Sequence, residues 1–122
     1  MKLFDVITTV KKQIPDVSGE DICKIVNELE DKIHNEIFSP HGIKRPYEKL
    51  NIKDNINENL FLDDAYLSLY IYFIYAVLLV RDLDFESANA YSLLFNERFK
   101  EVAAFYRKNN LPIKNTPLKG GF

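Results

Sequence analysis

The chain has 122 residues, of which 47% are hydrophobic, 13% aromatic and 28% charged, with a formal net charge of -2. That length suits one domain with a real core, and the near-balanced charge excludes a global attraction to nucleic acid or to an anionic membrane surface. The single cysteine, Cys23, excludes an internal disulfide, and the opening MKLFDVITTVKKQIPD lacks the apolar run and cleavage site of a secretory signal, so synthesis in the cytoplasm is expected.

Leu3, Phe4, Ile7, Val10 and Ile14 recur at helical spacing until Pro15 ends the pattern, which predicts a helix over 3–14. Ser18 then reads as an N-cap, and Glu20 and Asp21 suit the positive end of a helix dipole, so a second helix is predicted over 19–38. Its apolar stripe is Ile22, Ile25, Val26, Leu29, Ile33 and Ile37. On the remaining faces Glu20, Asp21, Glu28, Glu30, Asp31 and Glu36 outnumber Lys24 and Lys32, and this acidic side is expected to face water. Ser39-Pro40-His41-Gly42 stops the helix and Pro46 blocks a restart, leaving a long connection over 39–61. It is expected to wrap the bundle, with room for one or two helical turns or a short strand.

Leu62 to Val80 is the most apolar stretch, with sixteen uncharged residues after Asp64. As a helix these reach roughly 24 Å, short of the ~30 Å hydrocarbon core of a bilayer. Tyrosines are spread along its whole length instead of at its ends, so it is read as a core helix over 63–81, with Asp63 or Asp64 as cap. Tyr70 and Phe73 are expected inside it, each costing about 3–5 kcal/mol on truncation to alanine. Asp84 caps a last helix over 85–109, whose inward face is Ala88, Tyr91, Phe95, Phe99, Val102, Ala103 and Tyr106. The short link makes these two helices antiparallel neighbours.

From Asn110 the sequence NNLPIKNTPLKGGF reads as an extended tail because its prolines and glycines oppose a helix. The predicted fold class is all-α: a small bundle of about four helices around a central apolar helix, occupying 1–109, with the tail at 110–122. Once these helices have buried their stripes, no apolar surface is expected to remain for strong self-association.

No constellation of residues points to catalysis. Asp63 and Asp64 are adjacent helix-cap positions and not a converging pair. Cys23, His34 and His41 lack the spacing of a metal site, and neither a phosphate loop nor a nucleophile elbow is present. The expectation is therefore no enzyme, no metal and no cofactor. Arg98, Lys100, Arg107, Lys108, Lys114 and Lys119 gather late in the chain, but the nearby aromatics fall at core-facing positions, so the basic residues are read as a solvated helix end.

Leu60-Phe61-Leu62-Asp63-Asp64-Ala65-Tyr66-Leu67-Ser68-Leu69-Tyr70-Ile71-Tyr72, then Tyr91 to Phe99, then Phe105-Tyr106-Arg107-Lys108 with Pro112 beyond, carry a pattern of aromatics. This pattern resembles the small head-tail connector (adaptor) proteins of tailed phages and prophages of Gram-positive bacteria. It spans roughly residues 55 to 115 and departs at Asp63 and Asp64, where that family commonly has a proline. The resemblance implies a virion neck protein, made in the host cytoplasm, that docks in many copies as a ring on the portal protein. It would extend the DNA channel, pass DNA without sequence-specific binding, connect to the next neck or tail protein, and engage no membrane. It further implies that the C-terminal segment, with Leu111, Pro112, Ile113, Lys114, Leu118 and Phe122, binds the portal. Glu28 and Asp31 on the acidic face then become candidates for lining the channel. The alternative reading is a cytoplasmic helical regulator or antitoxin-like module that dimerises through the last helix.

Overall fold

The computed structural model describes residues 1–45 and 48–109, and they form an all-α fold. Helix α1 spans Leu3–Gln13 and buries Leu3, Val6, Ile7 and Val10. Phe4, expected on that stripe, lies one position off it and is half exposed. Helix α2, Gly19–Ile33, starts where Ser18 Oγ accepts a 3.1 Å hydrogen bond from Asp21 N. Its apolar stripe from Ile22 to Ile33 is fully buried.

The predicted continuation of this helix to residue 38 holds, but with more residues per turn: His34–Phe38 forms a π turn, followed by a 3-10 turn at Ser39–His41. Pro40 lies in that 3-10 turn, and in a regular α-helix its ring would press on the carbonyl of residue 36. The widened turn still delivers Ile37 and Phe38 into the core. Gly42 then ends the segment in the left-handed conformation at φ 71°, a geometry that glycine adopts without steric cost.

The long connection wraps the bundle as expected. It contains one short helix, α3 (Ile52–Asn55), and an isolated antiparallel bridge between Lys2 and Asn59. Around that bridge Leu3 N donates to Glu58 O, Phe4 N to Ile56 O, and Leu60 N to Met1 O, at 2.8 to 3.0 Å.

A 3-10 turn at Asp64–Tyr66, capped by Asp63, leads into α4 (Leu67–Arg81). Helix α4 touches α1, α2 and α5 and is thus the central element. It buries Leu69, Tyr70, Ile74, Ala76 and Leu78. Its other apolar side chains are only partly covered, and just 22% of the Asp64–Arg81 stretch, which is long and apolar enough to cross a membrane, is buried.

Helix α5, Phe85–Asn109, packs antiparallel to α4, with Ala88, Phe95 and Val102 buried at seven-residue intervals. This is the spacing by which one helix keeps a straight seam against another.

Candidate interaction surface

Asn27 and Glu30, on α2, hold the long connection in place. The Asn27 side chain accepts from Leu50 N at 2.8 Å and donates to Leu50 O at 3.0 Å, replacing both halves of a backbone ladder step. One turn later Glu30, only 3% exposed, accepts from Phe61 N at 2.9 Å and from the Tyr70 hydroxyl at 2.7 Å. Burial pushes the Glu30 carboxyl up to about 7, against the opposing pull of Tyr70, Phe61 N and the Arg45 guanidinium. Arg45 donates to Phe61 O at 3.1 Å and lies over the Phe38 and Phe61 rings.

The sequence reading placed Glu30 on a solvated acidic face, and the structure corrects this. The signal was available: Glu30 lies four residues after Val26 and three before Ile33, on the apolar stripe itself. Glu28 and Asp31 are exposed on α2, one turn apart, as that reading expected. Leu111, Pro112, Ile113, Lys114, Leu118 and Phe122 lie outside the described residues.

Of the residues weighed for chemistry, Cys23 is buried with Sγ 3.5 Å from Leu50 O, and desolvation raises its thiol above the ordinary range. Asp63 accepts from Ala65 N at 3.0 Å as a cap. Among the described residues no group of three or more His, Cys, Asp and Glu side chains is placed to hold a metal ion. Arg98 is committed internally. It donates to Ser68 Oγ at 3.2 Å and Ala65 O at 2.6 Å, pairs with Glu101 at 2.7 Å, and covers the Tyr66 ring, so it ties α5 to the start of α4.

The feature not anticipated from the sequence is apolar surface along the α4–α5 hairpin. Phe73 stacks against Phe95 at 5.1 Å between ring centres, and Tyr75 against Tyr91 at 5.3 Å. These pairs close the seam but leave its sides open. On one side Phe73, Ala76, Val77 and Val80 of α4 face Phe95 and Asn96 of α5 across a groove of about 350 Å³. At the tip Val80, Leu83 and Phe85 are 49%, 74% and 60% exposed. The expectation that no apolar strip remains for association is therefore corrected. The stripe on α4 runs all the way round, and the elements available bury only Leu69, Tyr70, Ile74, Ala76 and Leu78 of it.

The link that forms this tip has a defined geometry. Leu83 N donates to Val80 O at 3.0 Å and Asp84 N to Leu79 O at 2.9 Å, the paired bonds of a Schellman stop. Its left-handed position, usually glycine, is Leu83 at φ 61°.

The described residues thus define a small all-α fold with a buried polar junction at Glu30 and an open apolar groove between α4 and α5. Compared with protein-family models, curated proteins and solved structures, the chain matches none of them.

Proposed function

We propose that this chain is a virion neck protein, a head-tail adaptor that docks in many copies on a portal ring and presents a surface to the next neck or tail protein. The observation that carries the reading is where the aromatics of the adaptor-like pattern fall. Tyr72 and Tyr91 of that pattern meet in one hairpin seam, where Phe73 and Tyr75, which follow it, pack on Phe95 and Tyr91, and the same hairpin exposes Val80, Leu83 and Phe85 for a neighbour. An apolar patch at the end of a rigid hairpin suits a protein that works by contact. In this reading residues 111–122 supply the portal contact through Leu111, Pro112, Ile113, Lys114, Leu118 and Phe122. Glu28 and Asp31 face the channel, where like charge keeps passing DNA from adhering. Neither a cofactor nor a catalytic group is required.

Electron microscopy of the protein mixed with portal particles tests this. Added density on the portal ring, lost when the chain ends at Asn109, is expected. Undecorated particles at micromolar protein overturn the reading.

A second reading, a regulator that dimerises through α5, is favoured by one observation. Leu94 and Phe105 are 45% and 49% exposed and share the side of α5 that carries Arg98 and Glu101. Light scattering with Leu94→Asp as control separates the two, since only the regulator requires a dimer without a platform.

A further inference from the structure

Helix α4 carries apolar side chains on every face, and its groove side is left open. Phe73, Ala76, Val77 and Val80 form that side on α4, and Ser92 and Asn96 stand opposite on α5. Phe85, Asn89, Ser92 and Asn96 follow one another at intervals of four, three and four residues, so Phe85 and Asn89 continue the same stripe of α5 toward the hairpin tip. Leu93 borders that stripe, four residues after Asn89 and three before Asn96.

The area of this face sets what it can hold. Val80, Phe85 and Leu93 are 49%, 60% and 59% exposed. Each leaves on the order of 100 Å² of apolar surface in water, and the partly covered Phe73 and Val77 add about 80 Å² together. Since an interface is roughly 60% apolar, the whole face amounts to about 600 Å². That is the lower end of what a specific contact between two folded chains takes from each partner.

The pattern on α4 also matches itself under a two-fold axis. Phe73 and Val80, the bulky ends, each lie roughly 5 Å along the helix from the point midway between Ala76 and Val77. An antiparallel second copy therefore sets each Phe73 beside the other copy's Val80, and the small Ala76 lets the two helix axes approach to about 8 Å. Arg81 is the one charged residue lining the groove, 3.9 Å from Asp21. The two-fold keeps the two Arg81 positions roughly 13 Å apart along the axis, beyond a Debye length at physiological salt, whereas a parallel pairing brings them together.

We infer that two copies of this chain pair in solution, antiparallel and face to face across the α4–α5 groove, with Phe73 and Val80 of each copy interlocked about Ala76 and Val77. The inference goes beyond the adaptor reading and does not depend on it. A two-fold pair closes on itself, so it covers the apolar face of the free protein and does not extend into a ring. The modest area sets a dissociation constant on the order of 10 µM.

Sedimentation velocity of the full-length protein above and below that concentration tests the pairing. A monomer–dimer equilibrium is expected, with the dissociation constant raised about tenfold or more by Val80→Lys and unchanged by Leu94→Asp on the other side of α5. A lysine in the last turn of α4 suits the helix dipole, and thermal melts of dilute protein check that the variant folds. Val77→Cys, beside the two-fold, is expected to oxidise to a disulfide-linked dimer faster than Leu94→Cys, with buried Cys23 common to both. A monomer at every concentration overturns the inference. So do species larger than a dimer, or a dimer that Leu94→Asp dissociates and Val80→Lys does not. No portal is present in these experiments, so failure to bind portal particles refutes the adaptor reading without altering their result.

Discussion

Glu30 on α2 and Tyr70 on α4, forty positions apart in sequence, meet through a 2.7 Å hydrogen bond in a part of the core that excludes water. The same carboxylate holds Phe61 N at 2.9 Å, so one side chain joins three segments: α2, the long connection and α4.

This junction makes stability depend on pH, and the sign follows from the direction of the shift. The Glu30 carboxyl is raised from an ordinary 4.5 to about 7 in the fold, so the native state binds the proton more tightly than the unfolded chain. Its contribution is fully present below pH 4.5 and is lost as pH rises through 7, a change on the order of 3 kcal/mol. Glu30→Gln imitates the protonated acid: its oxygen still accepts from Phe61 N, and its NH2, like the acid's O–H, can donate to the Tyr70 oxygen, reversing the bond that Tyr70 makes to the carboxylate. Urea midpoints of the variant are expected close to the parent's at pH 5 and above them at pH 8. Parallel profiles for the two proteins would assign the dependence to another group.

Tyr70 and Phe73, read alike from the sequence, separate in the structure. Tyr70 is fully buried, and Tyr70→Ala is expected to cost about 3–5 kcal/mol. Phe73 is partly covered and lines the open groove, so Phe73→Ala is expected to cost about 1–2 kcal/mol, because a site open on one side leaves no closed cavity. Chemical denaturation of both variants gives the ratio, and equal losses would contradict the open groove.

Asn27→Asp tests the clamp on the long connection. The substitution keeps the acceptor for Leu50 N and deletes the donor to Leu50 O, leaving a partly buried carbonyl opposite a carboxylate. A loss of about 1–3 kcal/mol is expected. Amide hydrogen exchange should quicken at residues 48–56 ahead of α4 and α5. Uniform quickening across the chain would mean that the connection is not a separable unit.

Leu83→Gly should stabilise the fold by up to about 1 kcal/mol, because Leu83 holds a left-handed conformation that costs a side chain and is 74% exposed, so it contributes little packing. A thermal melt a few degrees higher is the expected reading.

The helices were legible in the sequence where local chemistry determines them. Ser18 and Asp84 cap as expected: Ser18 Oγ accepts from Asp21 N, and Asp84 Oδ1 from Ser87 N at 3.3 Å. The interval from Ala88 to Phe95 to Val102 marks the α5 seam, and α5 runs over the predicted 85–109. What was not legible depends on partners distant in sequence. The burial of Glu30 can be read from its place on the apolar stripe, but its partners, like the Leu50 partner of Asn27, cannot, because each lies more than twenty positions away. The openness of α4 was hidden for a related reason. Its composition shows that it needs cover, while the number of neighbours that reach it is a property of the assembled fold.

The antiparallel bridge between Lys2 and Asn59 carries a consequence for the order in which the molecule takes shape. The α4–α5 hairpin is joined through a three-residue link and can zip up from local encounters, whereas pairing residue 2 with residue 59 must first close a loop of nearly half the chain. During synthesis from the N-terminus, α1 and α2 emerge early and can pack on each other, but α4, which both of them touch, is still missing. Glu30 stays in water with its ordinary charge until residue 70 has left the ribosome, and only then does losing that charge become favourable. Completion of the N-terminal half is therefore timed by the arrival of α4, and any pause in translation before residue 70 prolongs the interval in which the α2 stripe is exposed to chaperones.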